Sequence, residues 1–195
     1  MGRIFYIMGK SSTGKDTVYK RLLESEEGGL RTLVMYTTRP AREGERDGVE
    51  YNFVDETQMK RLEAAGRIIE RRSYHTVHGI WHYFTVKDEQ IDLDKYDYLV
   101  IGTLESYGRM RTYFGRDKLI PLLIEMDDGV RLQRALDREK LQTPPCYPEL
   151  CRRYLADEAD FAEEKLAEAG VEKSFRNDDL ERCILEIRQY IKDWR

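Results

Sequence analysis

Gly9-Lys10-Ser11-Ser12-Thr13-Gly14-Lys15 is a G-x-x-x-x-G-K run. It follows the apolar stretch Ile4 to Met8 and precedes Val18, Leu22 and Leu23, which have helical spacing. Between a strand and a helix, such a run is expected to bind phosphate. Its glycines let backbone N–H groups turn inward around phosphate oxygens, the helix start adds partial positive charge, and Lys15 supplies a mobile cation for the β and γ phosphates. The other reading of these residues is a Gly/Ser-rich surface turn. Gly9, Ser11, Ser12, Thr13, Gly14, Lys15, Asp16 and Thr17 are therefore the expected ATP-binding residues of this segment. Asp16 stands where Ser or Thr normally reaches Mg²⁺, and Thr17 comes one place too late for that role. A carboxylate is a hard oxygen ligand, so Asp16 is the candidate metal contact, directly or through water. It could equally repel the triphosphate. The expectation is ATP binding that depends on Mg²⁺.

These residues need elements to hold them. Residues 3–8 form a continuous apolar run, the pattern of a buried parallel strand. A helix is expected from Asp16, ended by Gly28-Gly29, and a second strand over 30–36. Arg39 to Gly48 has turn chemistry without periodicity. Tyr51 to Val54 reads as a short strand, and Asp55-Glu56-Thr57 opens a helix through Met59, Leu62 and Ala65 to Gly66. Residues 67–86, rich in β-branched and aromatic side chains, read as strands and turns. Asp97 to Ile101 and Leu119 to Met126 read as central strands around a helix at 104–114. Further helices are expected at 128–139, 148–169 and 179–193, the first two separated by Pro144-Pro145. Strands alternating with helices after a strand–loop–helix opening predict an α/β fold, a P-loop NTPase with a parallel central sheet flanked by helices. Ligands should gather at the carboxyl edge of that sheet.

The segment Thr37-Thr38-Arg39-Pro40-Ala41-Arg42-Glu43-Gly44-Glu45-Arg46-Asp47-Gly48-Val49-Glu50-Tyr51-Asn52-Phe53 brings a resemblance into view. Together with the phosphate loop and Arg176-Asn177-Asp178-Asp179-Leu180, it resembles the guanylate kinase family. The segment follows the family's T-T-R-x-P-R-x-G-E-x-x-G-x-x-Y-x-F element, with the proline one place early. The resemblance implies a single domain over 1–195: a core of 1–33, 87–127 and 157–195, an acceptor-binding insertion over 34–86 and a lid over 128–156. It implies transfer of a phosphoryl group from ATP to a nucleoside monophosphate, GMP first of all. Arg39 and Arg42 can fork onto acceptor phosphate oxygens, and Tyr51 can donate its hydroxyl to the same group.

By the same resemblance Glu70 holds the place of the carboxylate that accepts from guanine N1 and N2. Tyr83 and Thr85 resemble the Tyr and Ser/Thr of a Y-G-[ST] element whose glycine is Phe84 here, and Met35 replaces a small residue that offers the base a hydroxyl. The family's D-I-D strand reads Val100-Ile101-Gly102-Thr103. Either Thr103 and Glu105 stand in for its carboxylates or the acceptor chemistry differs, and Asp16 would restore negative charge at the metal. Arg134, Arg138 and Arg153 resemble lid arginines that close on the transferring group, with Lys15 and Arg39 as their catalytic company, and Asn177 resembles an adenine-edge contact beside Arg134.

The rest of the sequence narrows the field. With Lys+Arg 33 against Asp+Glu 37 and a net charge of -4, there is no global basic field for nucleic acid. The apolar start is too short to span a membrane, no signal-peptide cleavage site follows it, and Tyr6 stands where a myristoylation signal wants Ser or Thr, so a cytoplasmic protein with small-molecule nucleotide partners is expected. Cys146, Cys151 and Cys183 form no even framework and read as reduced thiols. His75, His78 and His82 lie between aromatics, and zinc is the lesser reading. Two alternatives stay open: a kinase for another phosphorylated acceptor such as ribose 1,5-bisphosphate, whose branch also carries Asp after the Walker lysine, and a non-catalytic binding domain of guanylate-kinase type. The oligomeric state is not legible.

Overall fold

A computed structural model describes residues 1–24, 29–76 and 79–195. Gly28 and His78 lie outside them. The chain opens with β1 (Ile4–Met8), all five residues buried, and α1 (Lys15–Leu23). Strands β2 (Leu30–Thr32), β7 (Asp97–Ile101), β8 (Leu119–Glu125) and β9 (Ser174–Arg176) join β1 in a parallel five-stranded sheet of order β2-β7-β1-β8-β9. β1 is apolar throughout because both of its faces are covered. Phe5 and Ile7 pack with Val18 and Leu22 of α1 and with Cys183, Ile184, Ile187 and Ile191 of α7 (Leu180–Trp194). Ile4, Tyr6 and Met8 pack on the other side with Leu104, Tyr107 and Met110 of α3 (Leu104–Phe114). The period of two sends alternate residues to opposite layers.

A second sheet of order β4-β3-β6-β5 is built from β3 (Tyr36–Thr37), β4 (Asn52–Phe53), β5 (Ile68–Thr76) and β6 (Gly79–Val86). β3 runs parallel to β4 and antiparallel to β6, and β5 and β6 pair antiparallel. Met59 of α2 (Glu56–Ala64), Phe84 and Val86 form its small core. Asp55 starts α2 through a capping box with Gln58, which satisfies two helix-start N–H groups. Between β8 and β9 lie α4 (Asp128–Lys140), α5 (Tyr147–Asp160) and α6 (Glu163–Glu168).

Three expectations need correction. The strand expected over 30–36 is two strands: Leu30–Thr32 pairs with β7 in the first sheet, and Tyr36–Thr37 pairs with β4 and β6 in the second. Apolar patterning cannot register a change of partner when the run stays half-buried across it. The helix expected over 148–169 ends at Asp160 and resumes at Glu163 with no Gly or Pro between. Phe161 breaks it by turning to pack against the Ile4–Tyr6 side of the core. β9 was not expected: of its three residues only Phe175 is buried, too short a signal for periodicity.

Candidate active site

The phosphate loop sits at the carboxyl end of β1. Gly14 caps α1 with φ 83°, a left-handed conformation. A Cβ there would meet Asn177 Nδ2 at 2.5 Å, so glycine is required twice over. Ser12 also has positive φ, 65°. Thr13 is buried and donates to the Lys10 carbonyl at 2.9 Å, which folds the loop on itself. Asn177, carried in by β9, donates through Nδ2 to the Thr13 carbonyl at 2.8 Å. Its Oδ1 is buried with no hydrogen-bond partner among the described residues, and so remains available to a ligand N–H.

A carboxylate meets part of the loop. The Ser11 N–H donates to Asp157 Oδ2 at 2.7 Å, and Lys10 Nζ donates to Glu158 Oε2 at 2.6 Å. Both acids belong to α5. Between them and the loop lies Arg131 of α4, with 1% of its side chain exposed. Its Nε donates to the Ser11 carbonyl at 3.1 Å, Nη1 to Glu158 at 3.1 Å and to Asp128, and Nη2 lies 3.7 Å from Asp157. Tyr154 covers the guanidinium, 5.0 Å from its ring centre. Burial pushes the Glu158 carboxyl up, but hydrogen bonds from Lys10 and Arg131 outweigh it and hold the group below its usual range. Arg138 Nη2 lies 3.4 Å from Ser12 Oγ, and Arg134 Nη1 would stand 3.8 Å from a Cβ on Gly14. Arg153 is exposed and donates to Glu149 at 2.9 Å. Glu149 is brought down to about 2 by its hydrogen bonds to Arg152 and Arg153.

A cleft of about 510 Å³ opens from Lys15 toward the second sheet, walled by Arg39, Arg42, Tyr51, Arg72, Tyr83 and Thr103. Arg39 is 3% exposed and forks onto Glu45 with two bonds of 2.9 Å, while its Nε donates to the Tyr83 hydroxyl at 3.1 Å. The hydrogen bonds from Arg39 hold Glu45 below the usual carboxylate range, helped by the Arg42 N–H at 2.7 Å. Tyr51 stands edge-on to Tyr83, ring centres 5.6 Å apart, and burial raises its phenol. Arg42 is exposed on the rim.

Glu70 is wholly enclosed, its side chain 0% exposed. Thr85 donates to its Oε1 at 2.9 Å and Arg72 Nε to its Oε2 at 3.2 Å. Thr103 caps α3 by accepting from the Ser106 N–H at 3.2 Å, and Glu105 pairs with Arg109 at 2.7 Å. Gly102 is the place where Tyr6 comes up from β1: a Cβ there would sit 2.0 Å from its hydroxyl. That close approach excludes any side chain at this point of the strand.

Of the expected residues, Lys15, Arg39, Arg42, Tyr51, Tyr83 and Thr103 line this cleft, while Glu70 and Thr85 are buried behind it. Thr17 is exposed on α1. Asp16 is also exposed, 3.6 Å from Lys15 Nζ. No group of three or more His, Cys, Asp or Glu able to hold a metal occurs among the described residues. One exposed carboxylate, Asp16, fits Mg²⁺ that arrives with phosphates, since that ion keeps several waters and takes one or two protein carboxylates. His82 is occupied by Ser73, 2.7 Å from its Nδ1. Sequence reasoning passed over Arg131, Asp157, Glu158, Glu45 and Arg72. Nothing local marks the first three. Glu45 lay inside the quoted segment, and strand alternation from Glu70 would have found Arg72.

Comparisons with known proteins agree on one family. A family model described as guanylate kinase matches residues 1–92. The chain is 30% identical to the guanylate kinase of Symbiobacterium thermophilum, with 97% of this chain and 84% of that protein covered. It is also 30% identical to the guanylate kinase of Chlorobaculum tepidum, over 99% and 93%. Among solved structures, a guanylate kinase from Anaplasma phagocytophilum superposes with a TM-score of 0.65 at 22% identity, covering 98% of this chain and 85% of that one.

Proposed function

The chain belongs to the guanylate kinase family, and from that premise we propose that its phosphate loop and the adjoining cleft carry ATP-dependent phosphorylation of GMP to GDP. It is a nucleoside monophosphate kinase. The observation that carries this reading is the shared wall: Lys15 of the phosphate loop and Arg39, Arg42, Tyr51 and Tyr83 line one cleft. That is the arrangement in-line transfer needs, donor and acceptor phosphates on either side of one cation.

In this reading the loop N–H groups of Ser11 to Lys15 hold the ATP phosphates, Lys15 follows the β and γ oxygens, and Asn177 with Arg134 takes the adenine side. Asp16 would hold Mg²⁺, which when bound neutralises phosphate charge. Arg39 and Arg42 fix the acceptor phosphate, with Tyr51 and Tyr83 donating hydroxyls. Arg138 and Arg153 neutralise the charge that spreads over the transferring oxygens as the lid closes and water leaves. Closure has a local requirement: Asp157 must release the Ser11 N–H, and Arg153 must leave Glu149. The insertion over 34–86 serves the acceptor and the lid over 128–156 serves ATP, with small-molecule nucleotides as partners. Three free thiols, Cys146, Cys151 and Cys183, suit the reducing cytoplasm, and no helix among the described residues is long and apolar enough to cross a membrane.

The test is a coupled assay of ADP release with GMP, dGMP, AMP, UMP and ribose 1,5-bisphosphate. Turnover should be highest with GMP and require Mg²⁺. Preference for ribose 1,5-bisphosphate would move the acceptor assignment, and no turnover with any of them would replace the kinase by a binding domain.

A further inference from the structure

Glu70, the residue expected to read guanine, does not reach the cleft; Arg72 does. The two lie two positions apart on β5 and so share a face. Thr85 and the Arg72 Nε occupy the two Glu70 oxygens, whereas Arg72 forms part of the cleft wall. Its terminal nitrogens are poorly partnered. Nη1 lies 3.4 Å from the Thr103 hydroxyl, at the limit of a hydrogen bond, and Nη2 lies 3.7 Å from the Met35 sulfur, a weak acceptor. Burial pulls the Arg72 proton affinity down, but the charge of Glu70, the nearby Tyr6 and Tyr74 phenols and the hydrogen bond to Glu70 together lift it above the usual value, so the group stays a cation. A buried guanidinium with under-used donors facing a cleft is completed by a ligand that brings acceptor atoms.

We propose that Arg72 is the base-reading residue, donating through Nη1 and Nη2 to O6 and N7 of guanine, and that Glu70 acts through it by fixing its orientation and charge. The inference rests on the GMP reading above. Guanine presents those two acceptors side by side at the spacing of a guanidinium fork, whereas adenine puts an amino donor beside N7. Tyr74 and Trp81, opposite each other in the β5–β6 hairpin, add flat walls to the same cleft. A base can lie against them while Arg72 meets its edge.

The two recognition modes part on the 2-amino group. The assay is steady-state kinetics of the full chain with GMP, IMP, 7-deaza-GMP and AMP. IMP keeps O6 and N7, so its kcat/KM should fall within about threefold of GMP, while 7-deaza-GMP should lose about tenfold or more, the discrimination carried by such a contact. A large preference for GMP over IMP, with 7-deaza-GMP as good as GMP, would overturn the inference in favour of direct reading by Glu70. Arg72→Lys should lower the GMP-to-AMP ratio about tenfold or more with the KM for ATP unchanged. The double variant Arg72→Met/Glu70→Gln, which leaves no buried charge unpaired, should do the same. Glu70→Gln retains an acceptor for Nε, so it should raise the KM for GMP yet leave the GMP-to-IMP ratio near one. An unchanged GMP-to-AMP ratio in both Arg72 variants, with native circular dichroism, overturns the assignment. Absence of wild-type turnover with both GMP and IMP would instead refute the GMP reading itself, and the inference with it.

Discussion

At the scale of single residues the site is a set of arginines in unequal environments. Arg39 is buried with its fork held by Glu45 and its Nε by Tyr83, whereas Arg42 and Arg153 are exposed, the latter bonded to Glu149. Arg39→Ala should raise the KM for GMP or cut kcat by about tenfold or more, because a charge-assisted contact to the acceptor phosphate and the anchor of Glu45 are both lost, and should leave ATP affinity in calorimetry unchanged. Arg39→Lys should be nearly as damaging, since a point charge cannot satisfy Glu45 and a phosphate together. Asp16 is tested separately: Asp16→Ser should weaken the Mg²⁺ dependence of ATP binding if its carboxylate meets the ion, and equal Mg²⁺ affinity in the two proteins would remove it from the metal. Glu105 was the other candidate for missing negative charge, but its pairing with Arg109 ties it to α3.

At the scale of elements, α4 and α5 are clasped to the phosphate loop through Arg131. The contact uses the loop's own anion-binding N–H, with Asp157 standing in for a phosphate oxygen. Nucleotide must therefore displace a carboxylate as well as water. Asp157→Asn, which removes the charge and keeps the shape, should tighten ATP binding by about three- to tenfold, a weak ion-pair-scale effect at a partly exposed group. Calorimetric titration measures it, and weaker binding would mean that Asp157 supports the loop. Glu158 supplies a pH signature. Because its folded-state carboxyl is held below the ordinary value, its stabilising contribution is present above the unfolded value of about 4.3 and is lost as pH falls through the depressed folded value. Wild type should melt above Glu158→Gln at pH 7, and the two curves should converge in acid.

At the scale of the molecule, two sheets and the α4–α5 pair meet around the phosphate loop. The first sheet is held by burial on both faces and carries the phosphate loop; the second has a core of only a few side chains and carries the residues proposed to hold the acceptor. Stability and selectivity should therefore separate. Phe175 fills the edge of the main core, with its ring 5.4 Å from that of Tyr190. Phe175→Ala should cost about 3–5 kcal/mol, read as a lower urea midpoint, as for large-to-small changes in packed cores. It should also weaken ATP binding through Asn177, two residues on, while the preference among acceptors holds. A change in the GMP-to-AMP ratio would show that the two sheets are coupled more tightly than their packing indicates.

The parts legible in the sequence are those whose physics is local. A strand buried on both faces is apolar throughout, and a phosphate loop needs glycine where φ is positive; the sequence by itself determined both, with the α/β class and the family. Tertiary structure decided what depends on meetings between distant segments. The change of sheet between Thr32 and Tyr36, the pairing of β9, the clasp of Arg131 with Asp157 and Glu158, and the insertion of Arg72 between Glu70 and the cleft each join groups far apart in the chain or set by strand register. Glu70 shows the difference most sharply. Its residue type and position suit the reading of guanine, but a buried carboxylate takes the nearest cation it can, and here that cation is Arg72 on its own strand face.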